Sequence, residues 1–127
     1  SQFSSHTMEY FVKLTENYNM IPVLTHVERY PALINDPSII GELKDMGVII
    51  QTNTNSYTKK ASFFSKLKLI KLIKGGYIDV IGSDAHSLTH NDPRTFTEAL
   101  DFISAKCGQS TVRKMMSNAE EIFNSAL

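Results

Sequence analysis

Gly76-Tyr77-Ile78-Asp79-Val80-Ile81-Gly82-Ser83-Asp84-Ala85-His86 reads as a buried strand that runs directly into candidate metal ligands. Tyr77, Ile78, Val80 and Ile81 form a short β-branched-rich run bounded by glycines, the pattern of a strand covered on both faces of a parallel sheet. Asp79 is its one polar interruption. Past the run come Asp84 and His86, and in an extended chain residues i and i+2 project to the same side, about 6–7 Å apart. One metal ion, or two adjacent ones, could take both. An Asp-x-His pair by itself reads more readily as a capping Asp beside a surface His, so the metal reading needs partners elsewhere.

Two other strand ends supply them. Residues 21–26, Ile-Pro-Val-Leu-Thr-His, read as a strand with Pro22 tolerated at its start, and His26 falls at its C-terminal end. Residues 48–53 read as a second buried strand whose polar end carries Gln51 and Asn53, with Asn55 just beyond. Helices separate these strands. Met8, Phe11 and Val12 recur at helical spacing over residues 7–16. Asp36-Pro37, then Ile39, Ile40, Leu43 and Met46, then Gly47, provide N-cap, first-turn proline, apolar face and C-terminal glycine in one segment.

Residues 60–74 are expected to form a helix with Phe63, Phe64, Leu67, Ile70 and Ile73 inward, stopped by Gly75-Gly76. Lys66, Lys68, Lys71 and Lys74 interleave with them, and a solvated lysine face is the favoured reading over an anionic surface ligand. Asp92-Pro93 repeats the cap-plus-proline device, sending Phe96, Ala99, Leu100 and Ile103 toward the core up to Gly108, and two short helices, from Ser110 and from Asn118, are expected to close the chain. Strand and helix alternate three times. That order specifies an α/β fold with parallel strands and right-handed crossovers, in which ligands gather at the carboxyl ends of the strands. His26, Asn53, Asp84 and His86 all fall there, and imidazole with carboxylate suits Zn, Mn or Fe.

Composition narrows the partners. The 127 residues suit one domain, and 13 basic residues balance 13 acidic ones, so no global field favours nucleic acid or membrane. The single Cys excludes an internal disulfide framework. Apolar runs fall well short of the roughly 20 residues of a membrane span, and a cytoplasmic location is the default expectation. Ser1 stands where an initiator Met is usual, and a longer parent chain is expected. Cys107 and Arg113 also fit the Cys-x5-Arg pattern of cysteine-dependent phosphatases. That loop must follow a strand, whereas Cys107 ends an apolar-periodic helix, so a core cysteine is the favoured reading.

With these residues assembled, the chain resembles the bacterial PHP (polymerase and histidinol phosphatase) superfamily, and within it the capsular-polysaccharide protein tyrosine phosphatases. Residues 22–30 are similar to that family's strand ending in His-Pro-Glu-Arg-Tyr, with Val27 in the place of the Pro. Gln51-Thr52-Asn53 with Ser56 is similar to its next strand end, and Ser83-Asp84-Ala85-His86 to its late Asp-x-His motif.

The resemblance implies the C-terminal half of a distorted seven-stranded TIM-like barrel, with the family's first-strand His-x-His and a further Glu not present in this sequence. It implies a metal-dependent phosphomonoester hydrolase of the protein tyrosine phosphatase type, regulating capsular or exopolysaccharide synthesis. His26, Asp84 and His86 would be ligands for divalent metal, Mn2+ first with Zn2+ or Fe2+ as alternatives. Arg29 and Arg94 would be the catalytic arginines, and Glu28 and Tyr30 would shape the site. His90 reads as a loop histidine, with leaving-group protonation as its competing role. Expected partners are a phosphotyrosine protein, a bacterial tyrosine kinase of polysaccharide export among them, and a second copy of the chain. The competing non-enzymatic expectation is a binding-only partial barrel that buries its open sheet edge against another chain.

Overall fold

Three short parallel strands share the middle one, and that sharing sets the architecture of the computed structural model, which describes residues 22–82 and 93–126. The helix expected over residues 7–16, and Asp84, His86, His90 and Asp92, lie outside the described residues. The strands are β1 (Val23–Leu24), β2 (Ile49–Asn53) and β3 (Val80–Gly82), in the order β1-β2-β3. Val23 pairs with Ile49 and Leu24 with Ile50 on one side of β2, while Gln51, Thr52 and Asn53 pair with Val80, Ile81 and Gly82 on the other. The parallel α/β class read from the alternation is therefore the observed one.

Between β1 and β2 the chain makes a 3-10 turn (Val27–Arg29), then α1 (Pro31–Asn35) and α2 (Pro37–Asp45). Asp36 caps α2 as its sequence demands, accepting from the Ser38 amide at 3.3 Å and from its hydroxyl at 2.6 Å. The face carrying Ile40 and Leu43 is fully buried, and Gly47 leaves the helix at φ 91°, where a Cβ would be strained. After β2 come a second 3-10 turn (Thr54–Tyr57) and α3 (Phe63–Lys74), capped by Ser62, whose hydroxyl accepts from the Ser65 amide. Then α4 (Pro93–Cys107) packs on α3 and on the Thr54–Tyr57 turn, and α5 (Gln109–Ala126) packs on α4 and β3.

Two expectations are corrected. In α3 the residues buried against the sheet are Leu69, Ile70, Leu72 and Ile73, while Phe63 (57% exposed), Phe64 (79%) and Leu67 (37%) face outward. Apolar residues occupy too much of this helix's circumference for spacing alone to select the inner stripe, and the sheet takes the one with four aliphatic side chains. The two closing helices are one. Asn118 caps nothing; from mid-helix its Nδ2 donates to the Asp79 carbonyl at 3.0 Å.

Asp79 ties the layers together. Its Oδ2 accepts from the Ile50 amide at 2.8 Å, its own amide donates to the Ile50 carbonyl at 2.9 Å, and its Oδ1 meets Lys44 of α2. The carboxylate thus takes a β2 donor that a strand carbonyl would otherwise accept, and the ladder with β3 begins only at Val80. Both partners are mostly shielded, with side chains 29% (Lys44) and 16% (Asp79) exposed. Asp79→Ala is expected to lower stability by about 1–3 kcal/mol, since an ammonium and a buried amide both lose their acceptor. A urea midpoint shift at constant slope would show it, and Asp79→Asn, which keeps one acceptor, should lose less.

Candidate functional site

β1 stops at Leu24, and two residues later the chain turns sharply at His26, the one described non-glycine residue with positive φ (55°, ψ 47°). The left-handed conformation costs a side-chain-bearing residue energy, and such residues persist where surrounding structure over-determines them. Here the following turn holds it, with the Arg29 amide donating to the His26 carbonyl at 2.9 Å and the Tyr30 amide to Val27 at 3.0 Å, over a Val27 with no exposure. His26 itself is 7% exposed. Its Nδ1 lies 3.4 Å from Asn53 Nδ2 across the β1–β2 boundary, and Asn53 Oδ1 is occupied by the Asn55 amide at 2.9 Å, so the Asn53 NH2 faces the imidazole.

Glu28 fastens this turn to the next strand end. Its Oε2 accepts from the Asn53 amide at 2.9 Å and from Ser56 Oγ at 2.7 Å, while Oε1 is buried with no hydrogen-bond partner among the described residues. The Asn53 amide stands at the end of the strand ladder, where a buried donor needs an acceptor, and Glu28 provides it. The resemblance implied for Glu28 only a part in shaping the site. Its signal was present in Asn53 and Ser56, two polar groups at one strand end with no evident mate.

A cleft of about 380 Å³ opens beside this clasp, lined by Glu28, Asn35, Ser56, Ser62, Ser65 and Lys68. Arg29 is exposed on the turn next to it. Arg94 is exposed on the first turn of α4, in a shallow depression with Thr97, Glu98 and Asp101. α4 reaches the same edge, since it packs on the Thr54–Tyr57 turn and Glu98 Oε2 accepts from the Lys59 amide at 2.8 Å. Beneath the site Tyr57 is almost fully buried, its hydroxyl 2.6 Å from Thr52 Oγ1, and burial pushes its phenol well up, opposed by that hydrogen bond.

The strand register sets the ends of β2 and β3 side by side. Asn53 pairs with Gly82, so β3 ends beside Asn53, with the end of β1 that leads to His26 on the other flank of β2. Two strand spacings separate β1 from β3, roughly 10 Å. Among the described residues no three His, Cys, Asp or Glu side chains are grouped as a metal cluster. The donor set nonetheless suits a divalent ion in kind, with imidazole at one strand end and carboxylate plus imidazole following another.

Cys107 is elsewhere. It closes α4, Gly108 follows at φ 94°, and α5 begins at once, so no strand precedes it and no phosphate-cradling loop follows. Burial raises its thiol, with Lys74 opposing, which is the wrong direction for a thiolate nucleophile. The Cys-x5-Arg alternative is excluded by this placement.

The family described as "Capsular polysaccharide synthesis, CpsB/CapC" matches residues 4–124. The chain belongs to that family. It is 32% identical over 99 residues to "Tyrosine-protein phosphatase CpsB" of Streptococcus pneumoniae, covering 74% of this chain and 40% of that protein. The protein of the same name in Streptococcus agalactiae is 29% identical over 108 residues, 80% of this chain and 44% of its own length. The fold matches, at a TM-score of 0.78 and 22% identity, a structure from a study of YwqE from Bacillus subtilis and CpsB from S. pneumoniae, described as "unique metal-dependent tyrosine phosphatases". That match covers 97% of this chain and 49% of the other. The chain therefore spans less than half the length of the relatives it matches.

Glu28→Ala should cost about 1–3 kcal/mol through the orphaned Asn53 amide, with faster hydrogen exchange at Asn53 as its local signature, while Glu28→Gln should recover most of the loss. Cys107→Ser should move the unfolding midpoint little, and the native thiol should react slowly with a disulfide reagent at neutral pH.

Proposed function

We propose that this chain carries part of the active site of a metal-dependent phosphomonoester hydrolase of the protein tyrosine phosphatase type, serving capsular or exopolysaccharide synthesis. The observation that carries the reading is the meeting of His26 with Asn53 at 3.4 Å on the carboxyl edge of the sheet, beside the exit from β3. The names of the relatives support the reaction class. His26, Asp84 and His86 are the proposed ligands. When bound, divalent metal supplies a water acidified toward about pKa 7 and positive charge against the phosphoryl oxygens.

The chain's own residues do the rest. Arg29, exposed beside the His26 turn, can hold two phosphate oxygens with its planar fork, which Lys cannot reproduce. Arg94 is proposed as the second arginine, approaching from α4. Glu28 holds the His26 turn in register with Asn53. Mn2+ is the proposed metal, with Zn2+ or Fe2+ as alternatives. A phosphotyrosine protein, such as a tyrosine kinase of polysaccharide export, is the proposed substrate, met in the cytoplasm. We further propose that residues 1–127 are one domain-half of a seven-stranded barrel, so that the 127 residues alone turn over negligibly.

In the gene product as encoded, a chelator is expected to abolish hydrolysis of a phosphotyrosine peptide, added Mn2+ to restore it, and thiol alkylation to leave it intact. Asp84→Ala should cause a large loss of kcat. Arg29→Lys should cost about 1–3 kcal/mol of transition-state binding, on the order of 10- to 100-fold in rate. Chelator-resistant turnover would overturn the metal reading, and vigorous turnover by the bare 127 residues would overturn the half-barrel.

A further inference from the structure

The outward face of α3 is a feature that the site leaves unused. Phe63, Phe64 and Leu67 stand 57%, 79% and 37% exposed, and their spacing of one and four residues puts them on one face of the helix. Lys68 and Lys71, four residues beyond Phe64 and Leu67, continue that face, and Lys59 and Lys60 precede the helix; all four are exposed. From residue 58 to residue 76 the chain holds Lys59, Lys60, Lys66, Lys68, Lys71 and Lys74 and no acidic residue, within a protein of zero net charge. Lys66 belongs to the fold, its ammonium 4.8 Å from the Phe102 ring centroid. Acidic groups approach from elsewhere in the fold: Glu98 of α4 accepts from the Lys59 amide, and Glu28 lines the cleft that Lys68 also lines.

A solvated lysine face has no use for two phenylalanines in water. Exposed aromatic side chains on a segment whose only charged residues are cations suit a surface that is apolar within and anionic outside, which is the profile of an interfacial helix. Among the described residues no helix is long and apolar enough to cross a membrane, so the geometry is of lying on a bilayer. We propose that the first turns of α3 dock on an anionic membrane, with Phe63, Phe64 and Leu67 entering the boundary of headgroups and acyl chains and Lys59, Lys60, Lys68 and Lys71 meeting lipid phosphates. The α3 N-terminus follows the carboxyl end of β2, so docking turns the His26–Asn53 edge toward the membrane. This inference does not depend on the phosphatase reading.

Flotation of the gene product as encoded with phosphatidylcholine vesicles, with and without phosphatidylglycerol, tests it. Binding is expected to the anionic vesicles alone and to fade as salt approaches about 0.5 M, where screening shortens the reach of the lysines. The double substitution Phe63→Ser with Phe64→Ser should lower partitioning about ten-fold or more. Because both rings are exposed, its circular dichroism and unfolding midpoint should match the parent. Lys60→Gln with Lys68→Gln and Lys71→Gln should weaken binding and flatten the salt dependence. Absence of binding, equal binding to neutral vesicles, or binding untouched by the Phe substitutions would overturn the proposal. So would self-association of the parent that the Phe substitutions abolish, which would assign the face to a second copy.

Discussion

Asp79 is the constraint from which the rest of the molecule hangs. A carboxylate inside a hydrophobic strand is costly unless its oxygens are satisfied, and here both are, one by Lys44 and one by the Ile50 amide. The same residue's carbonyl receives Asn118 from α5. One side chain and its backbone therefore join α2, β2 and α5 to the start of β3. This sets the register. With Asp79 beside Ile50, Val80 must pair with Gln51 and Gly82 with Asn53, and the level at which β3 ends follows. An error of one residue would send the entire β3 pattern to the opposite face.

Glu28 repeats the device at the functional edge. There too a carboxylate satisfies a backbone amide that the sheet leaves open, that of Asn53, and there too it binds separate segments, the His26 turn and the Thr54–Tyr57 turn. The left-handed His26 is tolerable because the residues that follow it are fixed, Val27 by complete burial and the turn by Glu28. The imidazole is accordingly preoriented rather than selected from many rotamers. Such preorganisation is what a ligand or catalytic group requires, since ordering it at the moment of binding would weaken the interaction.

What was legible in the sequence follows from how local each signal is. The α2 helix could be read because Asp36, Pro37 and Gly47 act within one turn of themselves. The parallel order could be read because three apolar runs alternate with helical spacing. His26 and Asn53 were correctly brought together because strand ends share an edge in every such sheet. The inward face of α3 was not legible, because Phe63 and Leu67 satisfy helical spacing as well as Leu69 and Leu72 do, and only the shape of the sheet decides between them. Asn118 was misread as the start of a separate helix because its partner, the Asp79 carbonyl, lies 39 residues away. The bracing role of Glu28 was not legible for the same reason: its partners are 25 and 28 residues distant.

The two faces that carry proposals are linked by topology. In a parallel βα unit the helix that follows a strand begins on the side where that strand ends. The residues of the first turn of α3 are thus near neighbours of the cleft that Glu28 opens, and Ser62, Ser65 and Lys68 line that cleft from the helix while Phe63 and Phe64 point away from it. One short helix separates a polar recess from an apolar, basic outer surface. A side chain such as Lys68 then serves both, its stem lying along α3 and its ammonium within reach of anions on either side. The sequence of α3 is consequently under two demands at once: Leu69, Ile70, Leu72 and Ile73 must hold the sheet, and the residues between them are left to whatever the carboxyl edge of the strands has to face.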